Sequence, residues 1–121
     1  MNKRILVIDD DKELLEEVRQ ALVLSDYDVV ALGDAECALD LALSTKPDLV
    51  LLDLRMPQES GFQVACKLKY FSGLKNIPVI GMTAFFKNDY IPLMRTYGIQ
   101  DYLKKPFDPL DMVSKIEQAL C

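Results

Sequence analysis

In the stretch Asp48-Leu49-Val50-Leu51-Leu52-Asp53-Leu54-Arg55-Met56-Pro57, four consecutive apolar residues lead into a single acid. A short continuous apolar run of this kind is typical of a strand that is buried on both faces of a parallel sheet. Pro57 and then Gly61 are predicted to end the strand and turn the chain. Because ligands bind at the carboxyl ends of strands in open parallel sheets, Asp53 is predicted to lie at a functional edge.

The length and composition indicate one domain, over residues 1–121, with enough apolar residues for its own core. The chain has 14 basic and 19 acidic residues, and the net charge of −5 argues against direct contact with nucleic acid or an anionic membrane. The same acidity favours binding of a divalent cation. No apolar run approaches about 18 residues and no signal peptide is recognisable, so the expected location is cytoplasmic.

The sequence contains no histidine, which excludes histidine-dependent triads, histidine metal sites and histidine general bases. The three cysteines, Cys37, Cys66 and Cys121, are odd in number and widely spaced, which favours reduced thiols in a cytoplasm. Cys37 and Cys66 are predicted to be small core residues on apolar helix faces rather than nucleophiles.

Strand patterns and helix patterns alternate five times along the chain. Strand patterns cover residues 4–9, 28–32, 49–53, 77–83 and 101–104. The first, second and last helices are predicted to begin at the N-caps Asp11, Asp34 and Asp108. Pro92 fits only in a first turn, so the fourth helix is predicted to begin near Asn88 or Asp89. This alternation predicts an α/β fold with a parallel sheet that has helices on both faces.

Polar side chains follow four of the five strands: Asp9 and Asp10, Asp53, Thr83, and Lys105. In a right-handed doubly wound sheet these strand ends lie along one edge. Three neighbouring carboxylates repel one another, and an oxygen-only set of this kind suits Mg²⁺. Lys105 is able to pair with a phosphoryl oxygen or with an acceptor carboxylate, and Thr83 is able to donate its hydroxyl. The pattern indicates phosphoryl transfer to a carboxylate.

Four separated motifs resemble the receiver domain of two-component response regulators, such as the chemotaxis response regulator. They are Asp9-Asp10, Asp53-Leu-Arg-Met-Pro with Gly61, Met82-Thr83-Ala84, and Tyr102-Leu-Lys-Lys-Pro-Phe107. The motifs occur in the family's order and span essentially the whole chain. The resemblance implies a flavodoxin-like fold with five helices and five parallel strands in the order 2-1-3-4-5. It also implies a phosphorylation-activated switch that catalyses only its own phosphorylation and dephosphorylation, rather than an enzyme.

The resemblance assigns roles around a bound phosphoryl group. Asp53 is implied to accept that group from a phosphohistidine on a histidine kinase or histidine phosphotransfer protein. Asp10, Asp53 and the backbone carbonyl of Arg55 are implied to hold Mg²⁺, with Asp9 in the same metal site, directly or through water. Lys105 is implied to bind the phosphoryl group.

The resemblance also assigns a switch. Thr83 is implied to move toward the phosphoryl group, and Tyr102 to swing inward into the space that Thr83 leaves. This motion would remodel the face formed by the fourth helix, fifth strand and fifth helix. That face would then bind a downstream protein, an output domain or a second copy in a phosphorylation-dependent dimer. Phe85 and Phe86 are interpreted either as packed side chains or as part of an aromatic partner surface.

Three alternatives remain open at this stage. A haloacid-dehalogenase-like phosphatase would use Asp9 as its nucleophile, although Glu13 stands where threonine or valine is expected. A flavodoxin-like nucleotide binder would need a phosphate loop where this chain has three acids. A receiver that docks without phosphorylation is the third. A further hypothesis concerns Arg55 and Phe85, two residues after Asp53 and Thr83: their bulk is predicted to slow attack of water on a phosphoryl group.

Overall fold

The computed structural model describes residues 2–121 as five strands that alternate with five helices. The strands are β1 (Arg4–Ile8), β2 (Asp28–Leu32), β3 (Leu49–Asp53), β4 (Val79–Thr83) and β5 (Asp101–Lys104). The helices are α1 (Lys12–Leu24), α2 (Ala38–Thr45), α3 (Gly61–Tyr70), α4 (Tyr90–Tyr97) and α5 (Pro109–Leu120). The sheet is parallel with the order β2-β1-β3-β4-β5, which confirms the predicted architecture. None of the helices in the described part of the chain is long and apolar enough to span a membrane.

The central strand β3 is buried along its whole length, as its continuous apolar sequence predicts. It pairs with β1 on one side, where Leu52 is opposite Ile8, and with β4 on the other, where Asp53 is opposite Met82. Beyond the strand, the backbone N–H of Leu54 donates to the carbonyl of Met82. Asp53 is therefore fixed at the carboxyl edge of the sheet by a dry, doubly paired strand.

Two apolar layers cover the two faces of the sheet. One face packs against α1 and α5, through buried residues that include Leu15, Val18, Leu22, Met112 and Ile116. The other face packs against α2, α3 and α4, through residues that include Ala38, Ala42, Val64, Ala65, Leu68 and Met94. This arrangement leaves the carboxyl edge of the sheet as the place where the loops between strands and helices meet.

Local capping sets where several helices begin. The carboxylate of Asp11 accepts two backbone N–H groups of the first turn of α1, and that of Asp108 accepts one in α5, where Pro109 is the first residue. Both caps confirm the prediction. A capping box that the sequence analysis did not identify joins Ser60 and Gln63 at the start of α3.

Two predicted helix starts differ from the structure. Asp34 does not cap α2: its carboxylate accepts two N–H groups of the preceding turn, and α2 begins at Ala38, after Cys37. Asx turns of this kind satisfy the same N–H groups as a helix cap, so the sequence pattern does not distinguish them. The fourth helix begins at Tyr90, one or two residues later than predicted, and Pro92 lies in its first turn as expected.

The prediction that Cys37 and Cys66 are core residues is wrong. All three cysteines are free, but each of them is exposed. In α3 the buried stripe contains Ala65 and Leu68, and Cys66 is rotated by about 100° from Ala65 toward solvent. Cys37 precedes α2 and so does not share the buried face of that helix.

Candidate functional site

Asp53 and Asp9 form the buried part of the site. Asp53 ends β3 and is 4% exposed, and Asp9 directly follows β1 and is fully buried. Asp10, the next residue, is exposed. One carboxylate oxygen from each of these three acids lies within 4.8 Å of the other two. The structure therefore brings together the three carboxylates that the sequence predicted would meet.

Lys105 reaches the same cluster from the residue after β5. Its ammonium lies 2.6 Å from Oδ2 of Asp9 and 3.6 Å from Oδ2 of Asp53, so it is closer to Asp9. The backbone N–H of Lys105 donates to the carbonyl of Thr83, which fixes the start of this side chain against β4. Asp9 is held from its other oxygen as well, since Oδ1 accepts the N–H of Asp11.

Burial raises the pKa of the Asp53 carboxyl to about 7, and the nearby charge of Asp9 acts in the same direction. A backbone hydrogen bond from Arg55 and the charge of Lys105 act in the opposite direction. The single positive charge of Lys105 thus does not balance the negative charges of the neighbouring carboxylates. A divalent cation would relieve the remaining repulsion, and three carboxylates supply the hard oxygen donors that Mg²⁺ prefers. The donor set fits this ion.

Arg55 and Phe85 form the exposed rim of the site. The N–H of Arg55 donates to Oδ1 of Asp53, and the Arg55 guanidinium lies 5.4 Å from the centre of the Phe85 ring. Phe85 is 65% exposed, and its own N–H donates to Oγ1 of Thr83. The side chains at these two positions therefore contact each other across the gap between the β3–α3 and β4–α4 loops. The role of the Arg55 carbonyl as a metal ligand stays a prediction.

The two predicted switch residues occupy different surroundings. Thr83 is buried at the end of β4, beside the acidic cluster. Tyr102 is half-buried in β5, where its ring stacks on Phe86 with 4.3 Å between centroids and 15° between planes. The Lys104 ammonium lies 5.1 Å from the centre of the same Phe86 ring. Tyr102 therefore has a defined partner, which its position in the sequence did not reveal.

Phe86 also joins a longer row of aromatic side chains. Its ring meets Tyr90 edge-on at 6.1 Å, Tyr90 meets Phe62 edge-on at 5.2 Å, and Phe62 contacts Tyr97 at 6.1 Å. The row runs from β5 across the β4–α4 loop to α4 and α3. Phe86 is thus packed, as one of the two interpretations expected, whereas Phe85 is exposed, and its part in a partner surface stays a prediction. The sequence signal was the repeated aromatic residues, but their pairing depends on rotamers.

A parallel sheet with this strand order, whose carboxyl edge gathers acids around one lysine, defines a class of small α/β signalling domains. A family model described as the response regulator receiver domain matches residues 5–117. The DNA-binding response regulator MtrA of Mycolicibacterium paratuberculosis is 36% identical over 120 residues, which cover 99% of this chain and 52% of the relative. The alkaline phosphatase synthesis transcriptional regulatory protein PhoP of Bacillus subtilis is 33% identical, with coverage of 99% and 49%.

Solved structures show the same fold. The chemotaxis protein CheY4 of Vibrio cholerae superimposes with a TM-score of 0.96 at 23% identity, covering 99% of this chain and 100% of that one. A CheY-like receiver domain protein of Methanospirillum hungatei gives a TM-score of 0.93 at 26% identity, with coverage of 99% and 94%. The chain belongs to the receiver domain family of response regulators, and it is a domain of phosphorelay signalling. It spans about half the length of the curated relatives it matches.

Proposed function

We propose that Asp53 is the phosphoryl acceptor of this receiver domain and that residues 1–121 belong to one receiver domain. The observation that supports this assignment is the position of Asp53: a nearly buried carboxylate at the end of the central strand, within reach of two acids and one lysine. A carboxylate held in this way is available as a nucleophile, while the surrounding charges neutralise the transferred group.

In the proposed transfer, a carboxylate oxygen of Asp53 forms a bond to phosphorus as the phosphorus–nitrogen bond to a donor histidine breaks. The electron pair of the broken bond stays on the histidine nitrogen. Lys105 moves its ammonium from Asp9 toward the new phosphoryl oxygens, a short shift because it already lies 3.6 Å from Asp53. The Thr83 hydroxyl oxygen now accepts the N–H of Phe85. In the transfer, this hydroxyl turns and donates to another phosphoryl oxygen.

Mg²⁺ is the proposed metal, and Asp9, Asp10, Asp53 and the carbonyl of Arg55 would hold it. When bound, it would neutralise negative charge on the phosphoryl group. The domain would then act as a switch that catalyses only its own phosphorylation and dephosphorylation. Inward movement of Tyr102 would require its stacking on Phe86 to break, and this would alter the face formed by α4, β5 and α5.

The proposed upstream partner is a histidine kinase or histidine phosphotransfer protein. Since the matched relatives are DNA-binding regulators about twice as long as this chain, the proposed downstream element is an attached or separate output domain, or a phosphorylation-dependent dimer. This domain itself is proposed to bind neither nucleic acid nor membrane. A cytoplasmic location is proposed, in keeping with three free thiols.

The test is the intact mass of the protein after incubation with acetyl phosphate, with and without Mg²⁺. We expect a single phosphoryl adduct that requires Mg²⁺ and disappears in Asp53→Ala. Asp11→Asn is the matched control, because asparagine also caps helices and this acid is not a proposed ligand. That variant should retain the adduct.

Two results would overturn the proposal. An adduct that survives in Asp53→Ala and disappears in Asp9→Ala would favour the phosphatase alternative. Absence of the adduct, together with absence of Mg²⁺ binding and of beryllofluoride binding, would identify a receiver that docks without phosphorylation. Binding of beryllofluoride is measured by ¹⁹F NMR. If beryllofluoride binds although no adduct forms, then acetyl phosphate is a poor phosphoryl donor for this protein and the site itself is competent.

A further inference from the structure

The surface between α3 and α4 contains a long groove that the phosphoryl site does not use. One end is a cavity of about 690 Å³ lined by residues that include Phe62, Cys66, Leu93 and Tyr97. The other end is a cavity of about 750 Å³ lined by residues that include Cys66, Tyr70, Lys75, Arg95 and Tyr97. Cys66 and Tyr97 line both cavities, so the two adjoin; together they are called the groove, which ends near the turn between α4 and β5.

The charge of this region is opposite to that of the whole protein. Residues 60–100, which contain α3, β4 and α4, include five of the 14 basic residues and only one of the 19 acids. The basic residues are Lys67, Lys69, Lys75, Lys87 and Arg95; all of them except Lys87 line the groove, together with one acid, Glu59. A positive surface attracts acidic partners and repels the same positive surface of a second copy.

Two of the cations at the groove have no internal partner. Lys67 pairs with Glu59 at 2.7 Å, and Lys69 donates to the backbone carbonyls of Lys75 and Ile77. Within residues 2–121, neither Lys75 nor Arg95 forms an ion pair or a side-chain hydrogen bond. Both side chains are exposed, so they are available to a ligand.

The apolar part of the groove is also open. Leu93 is 38% exposed on α4, and Tyr70 is 86% exposed at the end of α3. Phe62 and Tyr97 contact each other at the base of the groove and are half-buried. A ligand that fills this groove must therefore present apolar side chains to Leu93 and Tyr97, and negative charge to Lys75 and Arg95.

We propose that this groove binds an acidic, amphipathic peptide segment of a protein partner. The apolar side chains of the segment would fill the end next to Leu93 and Tyr97, and its carboxylates would meet Lys75 and Arg95. Amphipathic helices bind grooves between helices in this way. A nucleic acid backbone or a membrane surface would contact the cations but leave the apolar end unfilled. The binding is independent of phosphorylation at Asp53, so its failure would not bear on the proposed acceptor.

The test uses the unphosphorylated, ¹⁵N-labelled protein and a short synthetic helix with leucines on one face and glutamates on the other. A peptide with lysine in place of every glutamate is the charge control. We expect chemical-shift changes confined to α3, α4 and the turn after α4, and no binding of the lysine peptide. The affinity should fall with added salt.

Substitutions test whether the acidic peptide binds in the groove. Lys75→Glu combined with Arg95→Glu should weaken the acidic peptide about tenfold, and Leu93→Ala should weaken it several-fold. Lys3→Glu combined with Lys46→Glu makes the same change in net charge at exposed positions outside the groove, and should change the affinity less than twofold. Thermal unfolding of each variant checks that it is folded.

Three results would overturn the proposal. The first is equal binding of the acidic and basic peptides. The second is equal weakening by the groove and control variants, which would show attraction to overall charge alone. The third is tighter binding of a DNA duplex or of phosphatidylglycerol vesicles than of the peptide, with shifts in the same groove, which would identify a nucleic acid or membrane site instead.

Discussion

The two sides of the candidate site are built in different ways. On the side of β1 and β3, Asp9 and Asp53 are buried; Asp53 is fixed by pairing of β3 with β4, and Asp9 by a backbone hydrogen bond from Asp11. On the side of β4 and β5, Phe85 is exposed, and Phe86 and Tyr102 are half-buried rings that stack on each other.

The difference separates binding from response. Rearranging a buried carboxylate means disrupting paired strands, whereas an aromatic pair contributes only about 0.5–1.5 kcal/mol beyond its buried area. The side of β1 and β3 is therefore suited to hold charge in one geometry. The side of β4 and β5 is suited to change its packing when a group is added to Asp53.

Gly61→Ala should disrupt the side of β1 and β3 most strongly. A Cβ at this position would clash with the carbonyl oxygen of Asp53 and lie 2.7 Å from Cα of Leu54, and both of these are backbone atoms that cannot move aside. We expect the free energy of unfolding to fall by about 3 kcal/mol, measured by urea denaturation. Gly73→Ala is the matched control, because nothing lies within 4 Å of its Cβ, and it should be nearly neutral. Equal effects of the two variants would contradict the close contact at Gly61.

Asp53→Asn should stabilise the metal-free protein near neutral pH. The pKa of Asp53 is about 7 in the folded protein against 3.8 ordinarily, so between these values the folded state keeps a proton that the unfolded state has lost. The contribution of Asp53 to the free energy of unfolding is therefore fully present below about pH 4, and it is lost as the pH rises to about 7. Asparagine carries no charge, so the variant should be more stable by a few kcal/mol at pH 7.5, since one pKa unit corresponds to about 1.36 kcal/mol.

The measurement is the free energy of unfolding from pH 4 to 8, with and without Mg²⁺. Saturating Mg²⁺ should narrow the difference between wild type and Asp53→Asn, because the proposed metal compensates the same charge. Asp89→Asn is the control: Asp89 is exposed and its side chain forms no cap hydrogen bond. If the free energy of unfolding has the same pH dependence in wild type and in Asp53→Asn, then the charge of Asp53 does not destabilise the folded protein.

The contrast also explains what the sequence could predict. Strand order and the meeting of Asp9, Asp10 and Asp53 follow from apolar runs that end in acids, since a buried strand leaves its last residue little freedom. The exact start of α2 could not be predicted from the sequence, because the carboxylate of Asp34 accepts backbone N–H groups equally well in a turn and at the start of a helix.

Side-chain partners were harder to predict than backbone positions. The preference of Lys105 for Asp9 over Asp53 is a matter of about 1 Å at the end of a flexible chain. The stacking of Phe86 on Tyr102 depends on rotamers of two residues 16 positions apart in the sequence. The outward orientation of Cys66 depends on the rotation of α3 by a single residue. Sequence periodicity specifies none of these three details.

Shortening the exposed rim should change the lifetime of the phosphoryl group without changing its formation. Because the Arg55 guanidinium lies over the Phe85 ring beside Asp53, the two side chains restrict the approach of water. We expect Arg55→Ala combined with Phe85→Ala to shorten the half-life of the adduct by about three- to tenfold. A tenfold change corresponds to a barrier to hydrolysis that is lower by about 1.4 kcal/mol. Tyr70→Ala removes an even more exposed aromatic ring at the last residue of α3, away from the site, and should leave the half-life unchanged.

The half-life is measured by intact mass after removal of acetyl phosphate, at a fixed Mg²⁺ concentration. If the double variant retains the wild-type half-life, then water reaches the phosphoryl group by a path that this rim does not cover. If the adduct fails to form at all, the rim contributes to holding the acidic cluster, and the separation between a side that binds and a side that responds is wrong. A shorter half-life with unchanged Mg²⁺ affinity would support it, because loss of the two rim side chains would then have left the acidic cluster intact.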